Sequence, residues 1–314
     1  MKYAFVFPGQ GSQFVGMGKE LYENFNTAKE VFEEVNDVLS QDLFKIMTEG
    51  PDAELFMTAN AQPAIMANSM AVLRVMEKEY DLDLKQKVSL LAGHSLGEYT
   101  ACCAAGVFSL AETAKLLRLR GDAMQKAVPL GKGAMAAIIG VSFKDIDALN
   151  DVASEGDKFC VSANDNSDGQ IVISGYTEAV EKAMAIAPEF GAKKCVKLAV
   201  SAPFHSPLMR PAQEKMIEAF RSVQAKDAII PLVPNILAEK VTDADTIVSA
   251  LIAQVTGMVR WRETMQYFEA EGITDQVEIG AGKVLTGLAK RDLKNINSFS
   301  VNSISEIENF MNNL

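Results

Sequence analysis

Val88-Ser89-Leu90-Leu91-Ala92-Gly93-His94-Ser95-Leu96-Gly97 is an apolar run that ends in one serine flanked by glycines, and helix-forming residues from Glu98 through Ala105 follow at once. A strand that turns this sharply into a helix lifts a hydroxyl clear of the backbone, within reach of a substrate carbonyl. Ser95 is the candidate nucleophile. A side chain at either glycine would crowd the turn, and glycine also tolerates backbone angles closed to other residues. Amides at the start of the helix can point at developing negative charge. The competing reading is a chance G-x-S-x-G in a chain with 21 glycines.

The rest of the chain supplies a frame for that elbow. Apolar strand-like runs alternate with helical stretches: Tyr3–Phe7, helices over Gly18–Val38 and Ala61–Lys78, the strand at Val88–Ala92 and the helix from Leu96. Such alternation predicts a parallel sheet sandwiched between helices, the large α/β-hydrolase-like part of an α/β protein. Around Pro129-Leu130-Gly131-Lys132-Gly133 the pattern changes to strand (Ala134–Ile139), helix (Phe143–Ala153), two strands (Phe159–Ala163 and Gln170–Ser174), helix (Thr177–Phe190) and strand (Lys193–Leu198). That β-α-β-β-α-β order matches a ferredoxin-like unit inserted in a larger domain. From 201 on the earlier style returns, with a helix at Pro211–Arg221, a strand-like Ile229–Pro234, helices at Ala244–Gln254 and Arg262–Glu271, and a strand at Asp275–Ile279. The expected division is residues 1–127 with 201–314 as one discontinuous domain, and 128–200 as the small one. The crevice between them is the expected ligand site, because pockets favour domain interfaces and the carboxyl ends of parallel strands.

Composition narrows the function. Hydrophobic residues form 48% of the 314 and charged residues 23%, which separates the chain from disordered sequences. The N-terminus enters a strand without a basic region, a long apolar stretch or a cleavage site, so neither export nor membrane insertion is indicated. Four cysteines, at 102, 103, 160 and 195, form no C-x-x-C pair, and only two histidines could join them as metal ligands. They read as reduced thiols in or near the core of a cytoplasmic protein that binds no metal. A net charge of −11 argues against nucleic-acid partners. The local clusters Lys193-Lys194 with Lys197, and Lys290-Arg291 with Lys294, are each read as solvated faces before docking sites.

A serine hydroxyl needs a base, most often histidine. His94 is adjacent to Ser95 and on the opposite side of the turn, which leaves His205, in Ser201-Ala202-Pro203-Phe204-His205-Ser206-Pro207. The flanking prolines would fix that loop's path. Phe7-Pro8-Gly9-Gln10-Gly11-Ser12-Gln13 follows the first strand but fails as a dinucleotide fingerprint, because Phe14 stands where the third glycine should be, and it lacks the Gly-Lys-Ser/Thr of a phosphate loop. Its glycines would instead let the Gln10 amide approach a ligand as an oxyanion-hole donor, with the Leu96 N–H as the second.

Four separated motifs, Phe7 to Gln13, Gly93 to Glu98, Arg118-Leu119-Arg120-Gly121 and Phe204-His205-Ser206, stand in the order and spacing of the malonyl-CoA:acyl-carrier-protein transacylases, and the chain resembles that family over essentially its whole length. The resemblance implies transfer of a malonyl group from malonyl-CoA to the phosphopantetheine thiol of an acyl carrier protein, through an ester on Ser95 with His205 as base. It also implies no permanently bound cofactor and no membrane partner. Gln10 and Leu96 resemble the oxyanion-hole donors, and Arg120 the arginine that grips the malonyl carboxylate. Such a grip is physically sound, since a guanidinium pairs with a carboxylate through two parallel hydrogen bonds. Gln254 resembles the residue whose main-chain carbonyl orients the histidine, although Met258 replaces the family's usual proline nearby. Phe204 resembles the ring that restricts the substrate's α-carbon. Fatty-acid synthesis is the expected setting, and a trans-acting polyketide acyltransferase is the neighbouring alternative. A serine esterase or thioesterase would use Asp165 or Asp168 behind the histidine, and a scaffold without turnover would keep the fold alone.

Overall fold

Five residues, Tyr3–Phe7 (β1), are all buried and almost all apolar on both faces, the mark of a central strand covered by helices on either side. In the computed structural model, which describes residues 1–200 and 202–314, β1 runs parallel to Val88–Gly93 (β2) and to the later strand Asp275–Ile279. Between them the chain builds the second unit: Gly133–Ile139 (β3), Cys160–Ser167 (β4), Gln170–Tyr176 (β5) and Lys194–Lys197 (β6). The chain then adds Asp275–Ile279 (β7) and Asn297–Val301 (β8). Two sheets result. One is parallel with order β2-β1-β7-β8; the other is antiparallel with order β4-β5-β3-β6. The protein is thus a mixed α/β fold, as the alternation of elements predicts. The expected boundary at Ser201 lies outside the described residues.

Two expectations are corrected, and one stretch left unassigned is filled in. The helix expected over Gly18–Val38 is two, Lys19–Asn24 and Asn26–Leu39, because Phe25 is extended (φ −131°, ψ 122°) and turns its ring against Tyr80. Ile229–Pro234 is not a strand. Leu232 makes single bridges to Leu91 and Val241, and the ladder cannot extend because Pro231 and Pro234 have no N–H to donate. The chain after Ile279, unassigned from sequence, forms a helix (Val284–Asp292), β8 and a final helix (Ile304–Asn312).

Polar residues on β7 explain how a strand with two acids can be central. Glu278, fully buried, accepts the N–H groups of Leu285 (3.1 Å) and Thr286 (2.8 Å), so its carboxylate caps the helix that follows. The two sheets are tied at β4. Val259 N–H donates to Ala163 O and Asp165 N–H to Val259 O, both at 2.9 Å, and Asp165 pairs with Arg262 at 2.8 Å. The four cysteines are unpaired, three buried and Cys195 half-buried. No helix among the described residues is long and apolar enough to cross a membrane.

Candidate active site

Ser95 sits where β2 ends and the helix Leu96–Ala104 begins, at φ 54°, ψ −109°. A non-glycine residue held there is strained, and its surroundings must over-determine it. The flanking glycines do this by closeness rather than by unusual angles. A Cβ on Gly93 would lie 2.0 Å from the Gly97 carbonyl, and one on Gly97 would lie 2.2 Å from Phe7 O, so the elbow is pressed against the end of β1. The only positive φ of the Gly93–Gly97 turn belongs to the serine itself.

His205 reaches this hydroxyl from the other side of the crevice. Ser95 Oγ lies 2.7 Å from His205 Nε2, while Nδ1 faces two carbonyls, Gln254 O at 2.9 Å and Gly257 O at 3.1 Å. Two acceptors at Nδ1 require its proton there, leaving Nε2 as the acceptor for the serine O–H. The imidazole is 4% exposed. Burial, aided by the Arg120 cation, pushes its pKa down to about 3, so the ring is a neutral base at ordinary pH. His94 takes no part in this pair. Its Nε2 bonds Asn166 Oδ1 at 2.8 Å.

Arg120 lies on the helix Leu110–Lys126, whose start is fixed by a Ser109–Glu112 capping box, and is 1% exposed. Its guanidinium donates to Gln62 Oε1 (2.8 Å), Gln254 Oε1 (2.9 Å) and Ser95 Oγ (3.1 Å), and packs over the Tyr99 ring. All three hydrogen-bonded partners are neutral oxygens. A buried guanidinium so partnered can pair with an anion brought into the cleft.

Gln10, Leu96 and Phe204 line the same cleft as Ser95, Arg120 and His205, a hollow of about 360 Å³ walled on the far side by Met135 and Asn164 of the antiparallel sheet. Leu96 is the first residue of its helix, so its N–H has no partner within the helix and is free to face the cleft. Gln254 lies fully buried beneath. All seven sequence-predicted residues therefore meet at one site. A hollow of about 400 Å³ around Arg74 and Asp83 is lined by no serine, cysteine or histidine. Reading the sequence missed Gln62 and Asn235. No motif marks either, and Asn235 follows the segment misread as a strand. The carboxylates considered behind His205 are elsewhere: Asp165 is held by Arg262, and Asp168 is not in the cleft lining.

The chain as a whole is similar to known proteins. The profile of the acyl transferase domain matches residues 4–307. A malonyl CoA-acyl carrier protein transacylase of Bacillus subtilis is 44% identical over 98% of this chain and 95% of its own length. The crystal structure of an acyl-carrier-protein-S-malonyltransferase from Bartonella henselae is similar with a TM-score of 0.96 and 53% identity, covering 99% of both chains. A malonyl-transacylase solved in complex with its type II PKS acyl-carrier protein matches with a TM-score of 0.96 and 38% identity over the whole of both chains.

Proposed function

The chain belongs to the acyl transferase domain family, and from that premise we propose that it moves a malonyl group from malonyl-CoA to the phosphopantetheine thiol of an acyl carrier protein, in fatty-acid synthesis. The single observation that carries this reading is the buried Arg120 guanidinium, 3.1 Å from the nucleophilic oxygen and surrounded by neutral acceptors. An acyl group bearing a free carboxylate fits that position. An acetyl group would leave the guanidinium with no anion in hydrogen-bond contact. The names of the relatives, malonyl transferases to a carrier protein, support the same substrates.

The reaction runs in two halves. Ser95 Oγ attacks the thioester carbonyl as His205 Nε2 takes its proton; the oxyanion rests on the N–H groups of Gln10 and Leu96; the C–S bond breaks and the departing sulfur takes the proton from His205. A malonyl-serine ester remains. The carrier thiol then gives its proton to His205, attacks the ester carbonyl, and the serine oxygen recovers the proton as it leaves. Arg120 couples the donor's identity to this chemistry. A carboxylate bound to it neutralises the cation that depresses His205, and so strengthens the base once the correct substrate is in place. Phe204, 8% exposed on the cleft wall, limits room beside the α-carbon.

The finer description of the fold belongs to the same reading. The order β4-β5-β3-β6 is that of a ferredoxin-like unit, formed by 128–200 and inserted in a hydrolase-like domain of residues 1–127 and 201–314. Esterase action is disfavoured because His205 Nδ1 meets carbonyls and no carboxylate. The test is to supply labelled malonyl-CoA with and without carrier protein. Label should appear on Ser95 by intact mass, be absent in Ser95→Ala, and pass to the carrier. Label recovered chiefly as free malonate with excess carrier present would overturn the assignment.

A further inference from the structure

Beneath Ser95 lies a network of side chains that the reaction as described does not use. Asn235 Oδ1 accepts the Ser95 N–H at 2.8 Å while its Nδ2 donates to Gly93 O at 2.7 Å, so one amide clamps both sides of the elbow. Gln254 Nε2 donates to Ser95 O at 3.0 Å. Both residues converge on Glu98. Its Oε2 accepts the Asn235 backbone N–H at 2.9 Å and Gln254 Nε2 at 2.7 Å.

Glu98 is 2% exposed, on the first turn of the helix that carries the elbow. Its second oxygen, Oε1, is buried with no hydrogen-bond partner among the described residues. Burying a carboxyl with one oxygen unpartnered costs free energy, and that cost asks for a role. Geometry supplies one. Glu98 Oε2, the closest of three acceptors around Gln254 Nε2 beside Ser95 O and Asn235 Oδ1, favours one orientation of that amide, nitrogen toward Glu98 and oxygen toward Arg120. Turned over, the amide would set its N–H groups against the guanidinium and its oxygen against the carboxyl. The same acceptor holds the backbone of Asn235, whose side chain keeps Ser95 in its strained conformation.

We infer that Glu98 is a positioning residue for acyl transfer, which through Gln254 and Asn235 fixes both the direction of the Ser95 hydroxyl and the aim of Arg120. It need only accept hydrogen bonds, and its charge is not required. Burial, which outweighs the pull of its donors and of Arg120, lifts the carboxyl to about 7, so the neutral form that Gln imitates is already accessible near neutral pH. The inference rests on the acyl-transfer reading but concerns the nucleophile itself, and so can be tested apart from the malonyl donor.

The test is the rate at which a fluorophosphonate labels Ser95 in the full-length protein, where an Oγ–P bond forms, fluoride leaves and His205 takes the proton. Glu98→Ala should slow labelling about 100-fold, the scale expected for a misplaced reacting group. Glu98→Gln should stay within about threefold of the parent, since its amide oxygen can replace Oε2. Asn235→Ala, which removes the clamp without touching Glu98, should fall with Glu98→Ala. Rates are referred to the folded fraction from circular dichroism. Glu98→Ala at the parent rate, or Glu98→Gln as slow as Glu98→Ala, overturns the inference. A parent protein that takes the phosphonate on Ser95 but forms no malonyl ester would sink the substrate assignment and leave this positioning role standing.

Discussion

Ser95 and His205 both hold a positive φ, 54° and 55°, in two loops where close steric contact and hydrogen bonds carry different weight. The serine turn is wedged, in addition to the amide clamp of Asn235 and Gln254. Glycines let its backbone touch β1 and its own helix at distances that admit no Cβ. The histidine loop is tethered. Ser206 Oγ donates to Pro203 O at 2.7 Å, Met209 N–H donates to Ser206 O at 2.9 Å, and the ring hangs from the carbonyls of Gln254 and Gly257. Pro203 also packs on Gly133 of β3, where a Cβ would lie 2.3 Å from the proline ring. A steric wedge fails by overlap and a tether fails by loss of a bond, so the two loops should respond differently to substitution.

The pair itself gives the largest effect. Ser95→Ala or His205→Ala should each lower malonyl transfer by at least about 10⁴-fold in single-turnover assays, and the double variant should be no worse than either. Additive losses would mean that the two residues do not act as a unit. Next comes the wedge: Gly97→Ala should cost about 3 kcal/mol or more in denaturant unfolding, because the atoms it meets are backbone and cannot yield cheaply.

Arg120 touches both halves, through Ser95 Oγ and through Gln254. Arg120→Ala should reduce kcat/KM for malonyl-CoA by about 100-fold while raising the relative use of acetyl-CoA. An unchanged donor preference would remove the carboxylate role. The tether should be milder: Ser206→Ala should lose about 1 kcal/mol, the worth of one hydrogen bond. Equal costs for Gly97→Ala and Ser206→Ala would erase the distinction between the loops.

The smallest effect is on pH. His205 falls from 6.5 to about 3 in the folded protein, so its basic form persists until the medium is far more acid than that of a free histidine. Labelling of Ser95 should change by less than about threefold between pH 8 and pH 5. A midpoint near 6.5 would show that burial does not hold the ring neutral. For stability the sign is the reverse of a salt-bridged histidine: the contribution is present above 6.5 and is lost as pH falls toward 3. Glu98, raised from 4.5 to about 7, acts oppositely, and its contribution is lost as pH rises through 7.

Much of this was legible before folding. Elbow residues are contiguous, and their glycines, apolar run and helix formers obey rules of local geometry that a linear pattern carries. Ser95 and Leu96 followed from that local geometry, whereas Arg120, Gln254 and Phe204 were placed only through the resemblance of their motifs to a family. The short segment Ile229–Pro234 misled because apolar content suggests a strand while the two prolines that deny it a ladder are a question of pairing. Asn235 and Gln62 stayed hidden because an amide has no signature until its partners are known.

Residue order by itself pointed to the two kinds of sheet, through the alternation of elements along the chain, and to the sharp serine turn, through neighbours within a few positions, while having only two histidines narrowed the candidate base to His205. Tertiary structure alone decided that Nδ1 of His205 would meet carbonyls, that Arg120 would be buried among neutral oxygens, and that Glu98 would meet the backbone of Asn235 and the side-chain amide at the end of the helix Ala244–Gln254. Those contacts join residues far apart in the chain, and their strength comes from the exclusion of water, which no local pattern encodes.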